Sequence, residues 1–179
     1  MKNIYTILLV LASAFASRGQ GQFDIPNLSI QLIQGTDTLG NAWAGGLNSP
    51  QISEIDADFD GLKDLYMYDR SNNRVSVFLN NGSTTGDAYH YDFRLSQKFP
   101  PVNGWALLYD FDGDGLEDFF TLSRCNCGIA VYKNTSTAPT NLQFTFRDST
   151  LLETYLSNNI NIYATALAVP AFTDIDNDG

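Results

Sequence analysis

The chain has 179 residues and a formal net charge of −10, with 20 acidic residues against 10 basic ones. This balance argues against a nucleic acid as the partner, because a polyanion is bound by basic surfaces. Eleven of the acidic residues are aspartates of three short loops, so the negative charge is concentrated in local sites and does not form a solvating tail.

The N-terminus shows the order of features of an export signal. Lys2 provides a positive start, residues 7–12 form an apolar run, and residues 14–16 form a small-x-small cleavage site. The apolar run is shorter than the roughly 20 residues that a membrane span needs. A buried N-terminal helix or strand fits this order poorly. We expect cleavage after Ala16, no membrane span, and a mature chain that is secreted or held at the cell surface.

After the signal peptide (residues 1–16) we expect lead-in strands over residues 17–44 and tandem repeats over residues 45–179. Within the repeats apolar and polar residues alternate, which is the periodicity of strands, and no apolar pattern of helical spacing continues for three turns. In the first repeat the pattern predicts a turn at residues 70–73 and four antiparallel strands, at residues 51–55, 64–69, 74–79 and 89–95.

The second repeat follows the first at an offset of 54 residues, which places Asp56 on Asp110. A third repeat begins at Asp174, 64 residues after Asp110. Four antiparallel strands per repeat of this length are typical of a β-propeller blade. The sequence therefore predicts an all-β fold, a partial β-propeller built from four-stranded antiparallel blades. Because so few blades would leave open sheet edges, we expect the chain to be a fragment of a longer propeller.

The first two repeats contain the pattern D-x-D-x-D-G-x-x-D directly after their first strand, and the third repeat contains its first six positions. Aspartates at positions 1, 3 and 5 converge in a tight loop, position 7 adds a backbone carbonyl, and glycine at position 6 permits the sharp turn. The predicted ligands are Asp56, Asp58, Asp60, the carbonyl of Leu62 and Asp64 in the loop at residues 56–64; Asp110, Asp112, Asp114, the carbonyl of Leu116 and Asp118 in the loop at residues 110–118; and Asp174, Asp176 and Asp178 in the third loop.

An all-oxygen, carboxylate-rich set suits Ca²⁺ better than octahedral Mg²⁺. An EF-hand needs a glutamate at position 12 and a helix after it, but that position is Met67 in the first loop and Thr121 in the second, each inside a predicted strand. A merely solvated acidic turn would have to produce the same pattern twice by chance. The sequence therefore predicts calcium as the cofactor.

The two complete loops, and the start of the third at residues 170–179, resemble the metal loops of the FG-GAP/VCBS repeat family. This family includes the propeller of integrin α-subunits and many secreted bacterial proteins. The resemblance covers residues 45–179 and implies a seven- or eight-bladed propeller with calcium between the first two strands of each blade. The signal peptide and the strand ends are similar to those of repeat proteins exported by Bacteroidetes-type bacteria. The family serves adhesion, ligand binding and enzyme accessory roles, so the resemblance implies no single function.

Cys125 and Cys127 fall at the hairpin turn of the second repeat. Export favours oxidation, and a bent turn brings two such Cα atoms within disulfide reach, so a local disulfide is favoured over two free thiols. A zinc site would need four ligands, and the chain has one histidine.

Other chemistry-bearing residues indicate no catalytic site. His90 lies on an alternating strand and is expected on its polar face, and no hydrolase triad is recognisable. Trp43 and Trp105 precede the first two loops. They could stack on sugar rings, but packing between blades is the favoured use.

The leading hypothesis is a secreted calcium-binding propeller module for adhesion or for binding an extracellular protein or glycan, with no catalysis of its own. One alternative is the accessory repeat region of a secreted polysaccharide-degrading enzyme whose catalytic part lies beyond residue 179. The other is a lectin that binds sugars in the propeller grooves.

Overall fold

The computed structural model describes residues 31–84, 86–137 and 141–173; the predicted signal peptide and the third loop lie outside them. The chain divides into two compact units, Met1–Leu39 and Gly40–Gly179. In the first unit, strands β1 (Ile33–Gln34) and β2 (Asp37–Thr38) pair as a short antiparallel hairpin. This hairpin lies within the predicted lead-in region.

The second unit begins with a four-stranded antiparallel sheet in which consecutive strands are neighbours. Ile55 pairs with Asp64 and Asn80 pairs with Tyr89, so the aspartate loop and the connection between the third and fourth strands leave the sheet at one end. The first three strands agree with the sequence prediction to within one residue. The strands are β3 (Pro50–Ile55), β4 (Asp64–Asp69), β5 (Arg74–Asn80) and β6 (Tyr89–Asp92).

The predicted fourth strand, residues 89–95, is wrong in its second half. Strand β6 ends at Asp92, and Phe93–Ser96 forms the one-turn helix α1. Asp92 Oδ1 accepts the N–H of Leu95 at 2.8 Å, an N-cap bond that competes with continued strand pairing. Ser96 Oγ then accepts the N–H of Val77 at 2.9 Å, so the helix satisfies a backbone donor of β5. An alternating apolar pattern does not reveal such a local bond.

A second four-stranded antiparallel sheet repeats the order of the first. A two-stranded hairpin follows it in the chain. The strands are β7 (Ala106–Tyr109), β8 (Asp118–Leu122), β9 (Ile129–Asn134) and β10 (Phe144–Asp148) in the sheet, and β11 (Leu152–Tyr155) and β12 (Asn158–Asn161) in the hairpin.

The two sheets share a hydrophobic core. Its buried side chains come from one face of each sheet and from the loops beside them: Ile55, Ala57, Tyr66, Tyr68, Val77, Ala106, Leu108, Phe119 and Leu142. Strands β3 and β7 are also joined by polar contacts, since Ser53 Oγ accepts the N–H of Leu108 at 3.3 Å and Gln51 Oε1 accepts the N–H of Ala106 at 3.1 Å.

A second core lies on the opposite face of the second sheet. Its buried side chains are Trp105, Phe120, Leu122, Ile129, Val131 and Ala164. Phe172 packs against this core, with its ring centroid 4.8 Å from that of Phe120. The chain after the second sheet therefore covers that sheet, as the second sheet covers the first.

The predicted all-β class and the four-stranded antiparallel sheets are confirmed. Across residues 31–84, 86–137 and 141–173 the sheets form no closed ring, so the propeller stays a prediction. No helix among these residues combines the length and the apolar character needed to cross a membrane.

Candidate metal centre

The two described aspartate loops occupy equivalent places in the two sheets. The first connects β3 to β4 and the second connects β7 to β8. Each is closed by a cross-strand pair, Ile55 with Asp64 and Tyr109 with Asp118. Because the strands hold both ends of each loop, the side chains between them are confined to a small volume.

The backbone of the two loops turns in the same way. The fourth position has a positive φ in both, 63° at Phe59 and 72° at Gly113. The sixth position does so as well, with 89° at Gly61 and 86° at Gly115, and there glycine adopts the left-handed region without steric cost. The predicted role of the position-6 glycine is therefore supported by the backbone geometry.

The first aspartate of each loop organises the turn through backbone N–H groups. Asp56 accepts the N–H of Gly61 at 3.0 Å and that of Asp60 at 3.1 Å. In the second loop, Asp110 accepts the N–H of Gly115 at 2.9 Å and of Asp114 at 3.2 Å.

Three aspartates converge in each loop, and in each set of three one carboxylate oxygen per residue lies within 4.8 Å of the others, so the set could hold a metal ion. Both sets contain only part of the predicted ligands. Of the predicted ligands, Asp60 lies outside the first set and Asp118 outside the second. Leu62 and Leu116 each donate an N–H to the position-5 aspartate of their loop. The converging sets are Asp56, Asp58 and Asp64 in the first loop and Asp110, Asp112 and Asp114 in the second.

The closing aspartates are buried and tie the loops to the third strands. Asp64 Oδ1 accepts the N–H of Asn80 at 2.7 Å, and its Oδ2 accepts the N–H of Ala57 at 2.8 Å. Asp118 Oδ1 accepts the N–H of Asn134 at 2.8 Å. The carboxylate of Asp118 is buried, and burial raises its pKa, although backbone hydrogen bonds from Asn134 and Phe111 oppose that shift.

The first loop disfavours the negative charge that its carboxylates carry. Burial raises the pKa of Asp58, and the neighbouring charge of Asp60 raises it further. Burial also raises the pKa of Asp64, although the hydrogen bonds from Asn80 and Ala57 oppose that shift. A divalent cation would offset both the desolvation and the repulsion.

The second loop carries a cation of the protein itself, which sequence analysis missed. Lys133 Nζ donates to Asp112 Oδ2, and it donates to Asp114 Oδ2 at 2.9 Å. The hydrogen bond from Lys133 lowers the pKa of Asp114, and the hydrogen bonds to Asp112 and Asp114 raise the pKa of Lys133. The sequence signal that could have pointed to this lysine was the repeat offset, because it places the charged Lys133 where the first repeat has the uncharged Leu79.

The two loops are also joined directly. Lys63, in the first loop, forms an ion pair with Glu117 in the second. The Lys63 side chain is 49% exposed and that of Glu117 16% exposed, so the pair lies at the surface, where such contacts add little stability. It shows that the two aspartate loops are neighbours.

The remaining candidate residues are not members of these loops. The structure joins Cys125 and Cys127 in a disulfide with their Cα atoms 5.1 Å apart. Trp105 has no exposed surface, so its predicted alternative use as a sugar-stacking platform is wrong, because a core side chain cannot meet a sugar ring. Trp43 is 46% exposed, and His90 is exposed on β6.

Comparison of the chain with protein-family models, with curated proteins and with solved structures finds no match. The description of the site therefore rests on the residues and the geometry given above.

Proposed function

We propose that this chain is a calcium-binding module of β-propeller repeats that acts outside the cell in adhesion or ligand binding, with no catalysis of its own. The observation that carries the proposal is the recurrence of an aspartate cluster in the same loop of two successive four-stranded sheets. A solvated acidic turn has no reason to recur with a positive φ at both its fourth and its sixth position.

Calcium is favoured as the ion by the chemistry of the donor set. The clusters consist of carboxylates, which suit hard cations. An irregular cage of oxygens suits calcium better than magnesium, which requires octahedral coordination. Burial raises the pKa of Asp118 and the nearby charge of Asp112 raises it further, so the Asp118 carboxylate supplies a further acceptor near the second cluster. Outside the cell, dissociation constants of about 10⁻⁴ to 10⁻³ M are adequate for such sites.

The repeat-array part of the proposal is supported by the equivalence of the two cores. At the 54-residue offset, Tyr66 falls on Phe120 and Val77 on Val131. Tyr66 and Val77 are buried in the first core, and their equivalents are buried in the second. Leu108, two residues before Asp110, packs on the first core, and Phe172, two residues before Asp174, packs on the second. This repetition favours further units stacked in the same way, as in a propeller.

In this proposal calcium is structural. Without a cation, carboxylates about 4 Å apart repel by roughly 1 kcal/mol in water and about 4 kcal/mol at an effective dielectric of 20. Binding would remove the repulsion and fix the loops at one end of each sheet. Rigid loops at a common edge can present a binding surface for an extracellular protein or glycan.

Thermal unfolding of the chain in EDTA and in calcium tests the proposal. At about 10 mM free calcium and a dissociation constant of about 1 mM, mass action stabilises the folded state by about 1.4 kcal/mol per site. For a domain of this size we expect two sites to raise the melting temperature by about 5–10 °C. Magnesium at the same concentration serves as the matched control and should produce a smaller rise.

Variants locate the effect. With Asp56→Asn and Asp58→Asn in the first loop and Asp110→Asn and Asp112→Asn in the second, the calcium-dependent rise should disappear. A melting temperature that is the same in EDTA and in calcium overturns the metal part of the proposal. A calcium-stabilised chain that binds no extracellular glycan or matrix protein in either condition overturns the binding role alone.

A further inference from the structure

The ammonium of Lys133 lies where it offsets part of the negative charge of the second aspartate cluster. Lys133 lies near the end of β9, next to Asn134, whose backbone is bonded to Asp118. From there its Nζ reaches both Asp112 and Asp114, two of the three members of that cluster. The strand that anchors the closing aspartate thus also delivers a positive charge to the loop.

Among the described residues, the first loop has no counterpart of Lys133. The residue equivalent to Lys133 is Leu79, which packs against the shared core and carries no charge. The lysine nearest in sequence, Lys63, pairs with Glu117 of the other loop. Among the described residues, no ion pair involves a member of the first cluster, whereas two involve the second.

We propose that Lys133 is an internal competitor of the metal ion, so that the two loops bind calcium with unequal affinity. The inference rests on the proposed calcium binding and concerns its regulation. The first loop fills at low calcium, and the second fills only when calcium is abundant enough to displace the ammonium from Asp112 and Asp114. Between these concentrations Lys133 still offsets part of the charge of the second loop, and the loop keeps its shape.

The size of the effect follows from the two contacts that calcium must displace. Ion pairs at this level of exposure have coupling energies that together correspond to a factor of about 2 to 30 in affinity. Lys133→Met removes the charge and keeps an unbranched side chain of similar length. We expect it to raise the calcium affinity of the second loop by that factor.

Calorimetric titration with calcium, one loop at a time, measures the affinity of each loop. Asp56→Asn with Asp58→Asn disables the first loop, so the heat of binding comes from the second loop. Asp110→Asn with Asp112→Asn disables the second loop, so the heat comes from the first. Lys98→Met is the matched control, because Lys98 is exposed and makes no ion pair among the described residues. It alters the net charge by the same amount and should leave both affinities unchanged.

A second readout uses stability in the absence of metal. With Lys133 replaced by Met, the second cluster has no counter-cation, so the melting temperature in EDTA should fall while the rise on adding calcium becomes larger. The reciprocal change Leu79→Lys should weaken calcium binding at the first loop.

The outcomes separate this inference from the proposed function. Tighter binding at the second loop with Lys133→Met, but not with Lys98→Met, supports the competition. Calcium binding at both loops with no change or a loss on Lys133→Met overturns the competition and leaves calcium binding intact. No calcium heat at either loop in any variant overturns the proposed function, and this inference with it.

Discussion

Asp64 Oδ1 accepts the backbone N–H of Asn80 at 2.7 Å, a bond that joins the end of the first aspartate loop to the end of the third strand. Asn80 in turn donates its side-chain amide to the carbonyl of Lys63 at 3.1 Å. The same pair of bonds recurs between the second loop and Asn134. In each repeat, therefore, an aspartate of the loop accepts from the third strand and an asparagine of that strand donates back to the loop. The position of the aspartates thus depends on the sheet.

Asp64→Ala should destabilise the chain even without metal. It leaves the N–H groups of Ala57 and Asn80 without their acceptor in a buried place, and unsatisfied buried donors cost about 1–3 kcal/mol each. Urea unfolding in EDTA should show a loss of about 2–5 kcal/mol. The control is Glu54→Ala on the adjacent strand, an exposed residue whose loss should be within about 0.5 kcal/mol. Equal losses for the two variants would contradict this role for Asp64.

Gly61→Ala tests the left-handed turn of the first loop. A Cβ at this position meets no atom within 4 Å, so any cost comes from the backbone, where φ is 89°. An L-residue in this region costs about 1–2 kcal/mol, and we expect that loss in urea unfolding. Gly46→Ala is the matched control, because it also meets open space but its φ is not positive. A neutral Gly61→Ala would show that the loop does not need this conformation.

Trp105→Ala should be among the most damaging single changes. Trp105 is fully buried in the second core, and removing a large aromatic side chain from a core costs about 3–5 kcal/mol. Its indole Nε1 has no hydrogen-bond partner among the described residues, so Trp105→Phe should cost much less. Trp43→Ala, at a half-exposed position, serves as the comparison in chemical denaturation. A Trp105→Ala chain with unchanged stability would show that this side chain is not part of the core.

Asp69 should make the free energy of unfolding of the chain depend on pH in the acid range. Burial alone would raise its pKa, but hydrogen bonds from Ser49, Asn72, Ser71 and Asn48 together lower it below its ordinary value of 3.8. A carboxylate with a lowered pKa in the folded state stabilises it above pH 3.8, and that contribution is lost as the pH falls through the lowered pKa.

Unfolding free energies measured by urea between neutral and acid pH test this expectation. Asp69→Asn should lower the stability at neutral pH and flatten the decline below pH 3.8 relative to the unchanged chain. An equally steep decline in both proteins would show that Asp69 makes no contribution to the acid sensitivity.

Much of the fold could be predicted because its signals are local. The alternation of apolar residues along β4 and β5 identifies strands, and the position-6 glycines identify the turns of the two loops. The missed helix α1 shows where this approach ends, because one N-cap bond from Asp92 outweighs an alternating pattern that continues to residue 95.

The sequence by itself determined the aspartate loops, the strands around them and their repetition, since each depends on residues within a few positions of one another. Only the tertiary structure decided that Trp105 is a core residue, that Asp118 is buried, and that Lys133 pairs with two aspartates of the second loop. These facts depend on which side chains meet across strands. A shift of register by one residue would turn the Lys133 side chain to the other face of the sheet, so its contact with the loop is a property of the folded sheet.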